Sequence, residues 1–430
     1  MIAKYKKPEM SFFLVALLLL NLSTSQVSLG QLPVSARPET AGMSKERLDR
    51  IPVLMNSYIN EGKMPGMVTM IIRHGKVVYN EAFGMMDVEA GKKMTTDAMF
   101  RIASMSKAIT STAVMMLYEQ GYFLLEDPVS KYIPEFKNPK VIVRIPGTDS
   151  TRLVPAKSEI TIRELLNHTS GITYGEGVQQ DIYRKSGMTV GLSPTEGTIG
   201  EMIRKLAKLP LISQPGEEFH YGMSIDVLGY LVEVVSKMPL DEYLRKNIFE
   251  PLKMNDTYFS VPREKLSRMA VLYKTGPDGK LARSTGVVDY TKDQKYFSGG
   301  AGLVSTASDY ARFAQMFLNN GQLDGVRLLS RKTVELMTTN SIGNIMVSDG
   351  FRNNGLGDKF GYGFGIRTER GVFDELESLG IYGWDGAFYT RFWVDPKEDL
   401  IGIFLTQMDN YWSEKMVNKY RVLVYQSIVD

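Results

Sequence analysis

Ser104-Met105-Ser106-Lys107 opens the clearest helical pattern of this 430-residue chain, a helix predicted from Ser104 to Gly121. Residues three apart share a helix face, so the ammonium group of Lys107 is expected to reach the hydroxyl group of Ser104. The N-terminal end of a helix also stabilises an oxyanion that forms there. Packing against a second lobe would desolvate Lys107 and lower its pKa from about 10.4, which favours activation of serine. The spacing predicts a nucleophilic serine; the alternative is a helix-capping serine beside a solvated lysine.

The composition excludes several other routes to catalysis. The chain has no cysteine, which rules out cysteine nucleophiles, thiolate zinc sites and iron–sulfur clusters. Its three histidines, His74, His168 and His220, do not show the spacing of a zinc hydrolase, and no G-x-S-x-G or P-loop occurs. A net charge of +3 without a basic stripe argues against nucleic acid as a partner. We therefore expect hydrolytic chemistry on serine, tyrosine, lysine or carboxylates, with no metal and no cofactor.

Residues 1–30 have the pattern of a secretory signal peptide. Lysines near the start precede an apolar run from Phe12 to Leu20, and small and polar residues follow as far as Gly30. The alternative is an uncleaved anchor helix, because Asn21-Leu22 lengthens the run. Export without cysteine suits a bacterial periplasm or medium. We expect a periplasmic or secreted protein whose hydrolase domain comprises residues 31–430.

The rest of the chain favours an α+β fold with one antiparallel sheet built from both chain ends. Strand-like runs occur near each end, at Met67–Arg73 and Val77–Phe83, and at Phe388–Val394 and Leu400–Thr406. One helical pattern begins at Ser44, and another ends near residue 428. These two terminal helices are expected to cover one face of the sheet. The helical middle, roughly residues 105–300, would form a second lobe inserted between the strands.

Further motifs follow the S-x-x-K sequence in a fixed order. Tyr221 precedes a predicted helix, and Gly383-Trp384-Asp385-Gly386-Ala387 precedes the strand at Phe388. Three more stretches lie between or before them: Leu125-Glu126-Asp127-Pro128-Val129, Leu165-Leu166-Asn167-His168-Thr169-Ser170-Gly171, and Gly299-Gly300-Ala301-Gly302-Leu303. Together they resemble the serine β-lactamase and penicillin-binding-protein superfamily from about residue 40 onward. The resemblance is strongest to the class C β-lactamase branch, which contains the family VIII carboxylesterases, and it implies the β-lactamase/DD-peptidase fold.

The resemblance also implies roles for several of these residues. Ser104 would be the acylated nucleophile, Lys107 would hold and help deprotonate it, and Tyr221 would act as general base, as a phenolate beside the lysine charge. The backbone N–H groups of Ser104 and Ala387 would form the oxyanion hole, and water would release the acyl group. His168 would only pack, since the His-Thr-Ser-Gly turn is structural in the similar family.

The chain departs from the β-lactamase pattern at two motifs. K-T-G on the strand facing the nucleophile becomes Trp384-Asp385-Gly386, and Tyr-x-Asn becomes Tyr221-Gly222-Met223. Both changes remove polar recognition of an anionic amide, while Trp384 and Met223 would supply an apolar wall. Asp385 would repel an anion if it faced the cleft. The substrate-binding set is therefore expected to be Met223, Trp384, Asp385 and Gly386.

These expectations combine into an exported serine hydrolase that cleaves carboxylic esters. Its partner would be a small-molecule ester or amide, with no integral membrane partner. Two alternatives stay open: a β-lactamase or D-Ala-D-Ala carboxypeptidase of the same fold, and a non-catalytic penicillin-binding-like protein. The loops Tyr174–Gly200 and Thr338–Lys359 are expected to form the rim of the cleft.

Overall fold

The computed structural model of the protein describes residues 31–148, 150–189, 192–347, 357–369, 376–409 and 415–430. The predicted signal peptide lies outside these residues, and the predicted rim loops lie partly outside them. An eight-stranded sheet dominates the fold, in the order β12-β13-β14-β15-β16-β1-β2-β3, and every neighbouring pair is antiparallel. The strands are β1 Gly66–Arg73, β2 Lys76–Asp87, β3 Lys92–Lys93, β4 Phe100–Arg101, β5 Lys140–Arg144, β6 Thr151–Pro155, β7 Tyr273–Thr275, β8 Leu281–Arg283, β9 Val304–Ser305, β10 Gln322–Leu323, β11 Val326–Arg327, β12 Lys359–Phe360, β13 Gly365–Ile366, β14 Tyr382–Gly386, β15 Thr390–Asp395, β16 Leu400–Thr406 and β17 Met408–Asp409.

The two ends of the chain meet at the centre of this sheet. Strand β1 pairs antiparallel with β16, from Met67 opposite Thr406 to Arg73 opposite Leu400. Every residue of β1 is buried, because both faces of the sheet are covered. The apolar residues of β1 alternate between two separate clusters, one on each face. The predicted antiparallel sheet from both chain ends and the α+β class are confirmed.

A two-residue turn joins β1 to β2. His74 and Gly75 both have left-handed backbone angles, with φ of 52° and 68°, which a tight hairpin turn of this kind requires. The sequence pattern starts the second strand only at Val77. The structure instead pairs Lys76 with Arg73, so Lys76 is the first residue of β2.

Helices cover both faces of the sheet. Helices α2 and α11 pack on one face, whereas α9 packs on the other, where α3 and α7 continue the apolar core. The N-terminal helix predicted from Ser44 does begin with that serine as its cap, but it breaks at Asp49 into two helices. Pro52 has no N–H group to donate to the carbonyl group of Leu48, and its ring clashes with that group in a continuous helix. The helices are α1 Lys45–Leu48, α2 Arg50–Asn60, α3 Ser106–Glu119, α4 Ile162–Leu166, α5 Gln180–Lys185, α6 Ile199–Leu206, α7 Ser224–Ser236, α8 Leu240–Leu244 with a π-helical turn Arg245–Phe249, α9 Ala307–Leu318, α10 Arg331–Met337 and α11 Met416–Tyr425. Among the described residues, no helix combines the length and the apolar character that a membrane crossing needs.

The region around Trp384 differs from the sequence-based prediction. Residues Tyr382–Gly386 do not precede a strand but form β14, which pairs with β15 through a turn at residues 387–389. Strand β15 begins at Thr390, because Tyr389 has a left-handed φ of 64° that ends the turn. Successive side chains of β14 therefore point to opposite faces of the sheet.

Candidate active site

Ser104 lies in a 3-10 turn, Ala103–Met105, directly before α3. The regular helix begins at Ser106, two residues later than predicted. Ala103 has a left-handed φ of 44°, an uncommon conformation for a residue with a side chain. The turn is thus a distinct corner between β4 and α3, and the half-buried Ser104 occupies it.

Lys107 connects the corner to the rest of the site. Its Nζ donates to Ser104 Oγ over 3.2 Å, to the hydroxyl group of Tyr174 over 3.0 Å and to the carbonyl group of Gly300 over 2.8 Å. The side chain has no exposed surface. The i, i+3 spacing of the S-x-x-K sequence therefore produces the predicted contact between lysine and serine.

The charge state of Lys107 corrects one expectation. Burial by itself lowers the pKa of Lys107, as predicted, but Tyr174, Tyr221 and the carboxylate of Asp226 act in the opposite direction. Their combined effect is larger, so the pKa of Lys107 is raised above its ordinary value. Lys107 is consequently an ammonium ion at neutral pH, a donor of hydrogen bonds rather than a free base.

Tyr221 completes the site. Lys107 Nζ lies 4.6 Å from the centre of the Tyr221 ring, and the indole Nε1 of Trp384 donates to the Tyr221 hydroxyl oxygen over 2.8 Å. Trp384 is 2% exposed, so it is packed beside Tyr221 rather than spread over an open cleft as an apolar wall. The fold thus brings Ser104, Lys107 and Tyr221 together and adds Trp384 as a polar partner of the tyrosine.

The end of β14 lies against the turn that holds Ser104. A side chain at Gly386 would come within 2.3 Å of the carbonyl oxygen of Ile102. Thr390, opposite Gly386 in the hairpin, donates to that same oxygen over 3.4 Å. Ala387, the residue after Gly386, is therefore next to the Ser104 corner, and its role in the oxyanion hole stays a prediction.

Two predicted substrate-binding residues lie elsewhere. Met223 precedes α7 with no exposed surface and packs in the core, where it offers nothing to a substrate. Asp385 is 4% exposed and lies directly opposite Arg391 on β15, with which it forms an ion pair. Both side chains lie on the sheet face that the terminal helices cover, away from Trp384, because alternate residues of a strand point to opposite faces. Asp385 therefore does not face the cleft.

His168 has the packing role that the sequence indicated. Its ring is wholly buried, and its centroid lies 4.7 Å from that of the tilted Tyr221 ring and 5.4 Å from that of Phe360, which it meets edge-on. Burial, followed by the charge of Lys107, keeps the pKa of His168 well below its usual value, so the imidazole is neutral. His220 contacts Glu218 instead of the site.

Three residues of the site were missed from the sequence. Tyr174 stands three residues after the His-Thr-Ser-Gly turn, in a stretch predicted only as a rim loop, yet its hydroxyl group accepts from Lys107. Gly300 contributes a carbonyl group, which no side-chain pattern reveals. Asp226 lies five residues after Tyr221, and this closeness to the motif tyrosine is the sequence signal that could have identified it. In the described ranges no cluster of three or more His, Asp or Glu side chains is arranged to hold a metal ion.

The geometry provides the parts of a serine hydrolase. A hydroxyl group at a helix start contacts a buried cation, and a second hydroxyl group with its own donor lies beside that cation. Such a set can activate serine, and its cationic donor stabilises negative charge that develops during attack on a carbonyl group.

Comparisons with known proteins agree with this reading. Esterase EstB of Burkholderia gladioli is 27% identical over 374 residues, which cover 83% of this chain and 89% of EstB. A putative D-alanyl-D-alanine carboxypeptidase of Salmonella agona is 27% identical over 421 residues, 92% of this chain and 91% of the relative. The solved structure of EstCE1, a hydrolase with promiscuous acyltransferase activity, superimposes with a TM-score of 0.76 at 25% identity, covering 90% of this chain and 99% of EstCE1.

The family model described as Beta-lactamase matches residues 45–426, nearly the whole part of the chain that follows the predicted signal. This match confirms the resemblance drawn from the motifs and the fold that it implied. The chain belongs to the β-lactamase family of serine hydrolases.

Proposed function

We propose that the protein hydrolyses carboxylic esters through an acyl-enzyme on Ser104. The observation that carries the proposal is the position of Lys107, whose ammonium group contacts Ser104 Oγ and Tyr174 and lies against the ring of Tyr221. A buried cation at this place orients the serine and lowers the energy of an anion beside it.

The proposed reaction has two steps. Tyr221 takes the proton of Ser104 as Oγ attacks the ester carbonyl carbon, and the backbone N–H groups of Ser104 and Ala387 stabilise the oxyanion. The alcohol leaves with the proton from Tyr221, and the acyl group stays on Ser104. Water then attacks the acyl carbon and gives a proton to Tyr221. Tyr221 returns that proton to Ser104 Oγ as the acyl bond to serine breaks, and the carboxylic acid leaves.

An ester suits this site better than a β-lactam or a peptide. Trp384 replaces the lysine with which similar lactamases hold a substrate carboxylate, and its N–H group is committed to Tyr221. Met223, at the position of the amide in Tyr-x-Asn, is buried and donates nothing. EstB is named an esterase, which supports the proposal, whereas the Salmonella relative keeps a D-alanyl-D-alanine carboxypeptidase as the alternative.

We also propose that the enzyme acts outside the cytoplasm, in the periplasm or the medium. The pattern of residues 1–30 supports this proposal.

Labelling with a fluorophosphonate probe followed by peptide mapping tests the nucleophile. The label is expected on Ser104. Ser104→Ala should lose labelling and ester hydrolysis, whereas Ser106→Ala, two residues away, should keep both, because the buried Ser106 Oγ accepts from the N–H group of Leu303 and does not contact Lys107 in the described part of the chain. A Ser104→Ala rate within about tenfold of wild type, a barrier change of only ~1.4 kcal/mol, would contradict the assignment. Parallel assays with p-nitrophenyl esters, nitrocefin and a D-Ala-D-Ala peptide separate the esterase from its alternatives.

A further inference from the structure

The glycine-rich loop Gly299–Leu303 runs along the first turns of α3. Thr110 donates to the carbonyl group of Gly299 over 2.7 Å, and Lys107 donates to that of Gly300 over 2.8 Å. At the end of the loop, the N–H group of Leu303 donates to Ser106 Oγ over 3.1 Å. The loop is therefore hydrogen-bonded to the helix that carries the catalytic lysine.

Asp226 of α7 holds the same loop from its other side. Its carboxylate accepts from the hydroxyl group of Ser298 and, over 3.2 Å, from the N–H group of Gly300. Asp226 is 1% exposed. A carboxylate in that position has exchanged all its water for these donors, which is costly unless a positive charge lies nearby.

Gly300 shows how close the two charges come. A side-chain carbon added to Gly300 would lie 2.5 Å from Asp226 Oδ2 and 3.4 Å from Lys107 Nζ. The carboxylate and the ammonium group thus approach the same side of one residue, and only glycine leaves room for both.

The other described side chains facing Lys107 bear hydroxyl groups or aromatic rings and no carboxylate. Ser104 and Tyr174 are hydroxyl partners, Tyr221 presents its ring, and the His168 ring beneath it is neutral. Tyr296 faces Asp226 from the loop side, and burial with the Asp226 charge keeps its pKa well above the usual value, so it too stays uncharged. Of the carboxylates among the described residues, Asp226 is the one that approaches Lys107 across Gly300.

We propose that Asp226 is a positioning residue of the site, the buried counter-charge that keeps Lys107 an ammonium ion beneath Ser104. The proposal rests on the proposed function, since Lys107 is assigned there. Asp226 acts through Lys107 and the Gly300 loop and does not contact the reacting atoms. It follows that Lys107 donates hydrogen bonds throughout the reaction, and that the proton of Ser104 goes to a tyrosine.

The pH profile of kcat/KM tests this role in the intact protein. Asp226→Asn keeps an acceptor for Ser298 and Gly300 but removes the charge, so Lys107 should lose its proton at lower pH. The alkaline limb of kcat/KM on a p-nitrophenyl ester should then lie at a pH at least about one unit lower than in wild type. Ser298→Ala, which removes a hydrogen bond and leaves the charge, should keep the wild-type alkaline limb. An Asp226→Asn profile that coincides with wild type overturns the proposal.

A stability cycle gives a second test that needs no substrate and therefore stands even if the enzyme is not an esterase. Lys107→Met should lower the urea midpoint of unfolding, because it leaves Asp226 as an unbalanced buried charge. Adding Asp226→Asn to Lys107→Met should restore part of that loss. If Asp226→Asn alone fails to fold but the double variant folds, that result also supports the pairing. Losses that simply add, or a double variant less stable than both single variants, overturn it.

Discussion

The indole N–H group of Trp384 donates a hydrogen bond to the hydroxyl oxygen of Tyr221 over 2.8 Å, and the two rings lie 5.3 Å apart. The tryptophan occupies the position where similar lactamases have a substrate-binding lysine, yet it contacts the general base of the proposed mechanism. In the proposed mechanism that oxygen accepts the proton of Ser104, and the hydrogen bond fixes its position. Trp384 therefore orients Tyr221 and does not simply line a pocket.

Trp384→Phe is expected to lower kcat for ester hydrolysis about ten- to a hundredfold, the effect of losing one hydrogen bond to a charged group. KM should change little, since the lost contact is to Tyr221 and not to the substrate. Trp393→Phe is the matched control, because Trp393 lies on the opposite sheet face among the terminal helices. Equal kcat values for the two variants would show that the indole N–H group has no part in catalysis.

Lys107→Ala and Tyr221→Phe should each be severe, and the double variant should be little worse than the poorer single variant. The reason is that Ser104, Lys107 and Tyr221 act as one unit, so removing a second member takes away little that is left. Steady-state kinetics of the three variants on one ester measure this. Rate losses that multiply would indicate that the two residues act independently.

Asp385→Asn is expected to destabilise the protein without changing its substrate preference. The substitution removes the charge of Asp385 from its ion pair with the buried Arg391, and breaking such a pair costs about 3–5 kcal/mol in comparable proteins. Urea unfolding measures the loss, and the double variant Asp385→Asn/Arg391→Met should recover part of it. The ratio of nitrocefin to ester hydrolysis should stay unchanged, because the carboxylate faces the terminal helices. A gain in nitrocefin hydrolysis would place Asp385 in the cleft after all.

Ester hydrolysis is expected to exceed nitrocefin hydrolysis by at least about a hundredfold in kcat/KM. The site lacks both the lysine that would bind the substrate carboxylate and the amide that would bind the acyl amide, and each loss is worth roughly tenfold or more. Purified protein assayed on p-nitrophenyl butyrate and nitrocefin gives the ratio. Comparable efficiencies would contradict the interpretation of Trp384 and Met223.

The mature N-terminus is expected between residues 24 and 32, where small residues follow the apolar run. Leu32, near the end of this window, is already buried, and Pro33 accepts a backbone hydrogen bond from Val77. Mass spectrometry of protein from a Gram-negative host tests the prediction. Intact chain beginning at Met1 in the membrane fraction would support an anchor instead.

Local patterns predicted much of the fold and the centre of the site. Alternation and apolar runs located β1 and β16, and their burial on both faces follows from the hydrophobic side chains themselves. The contact between Ser104 and Lys107 was predictable because the two residues are three apart in one chain segment, so local geometry alone brings them together. Tyr221 was assigned by the order of motifs, which carries no distances.

The remaining features depend on residues far apart in the chain, and the tertiary structure decided them. Asp385 was assigned to the cleft because it belongs to the motif that replaces K-T-G. Neighbouring side chains of β14 point to opposite faces of the sheet, so Trp384 and Asp385 cannot both face the site. Met223 was assigned to the wall, but the packing of α7 buries it. Desolvation was expected to lower the pKa of Lys107, an effect that composition and spacing can suggest. Its proposed counter-charge, Asp226, lies 119 positions later and approaches the lysine only where α3, α7 and the Gly300 loop pack together.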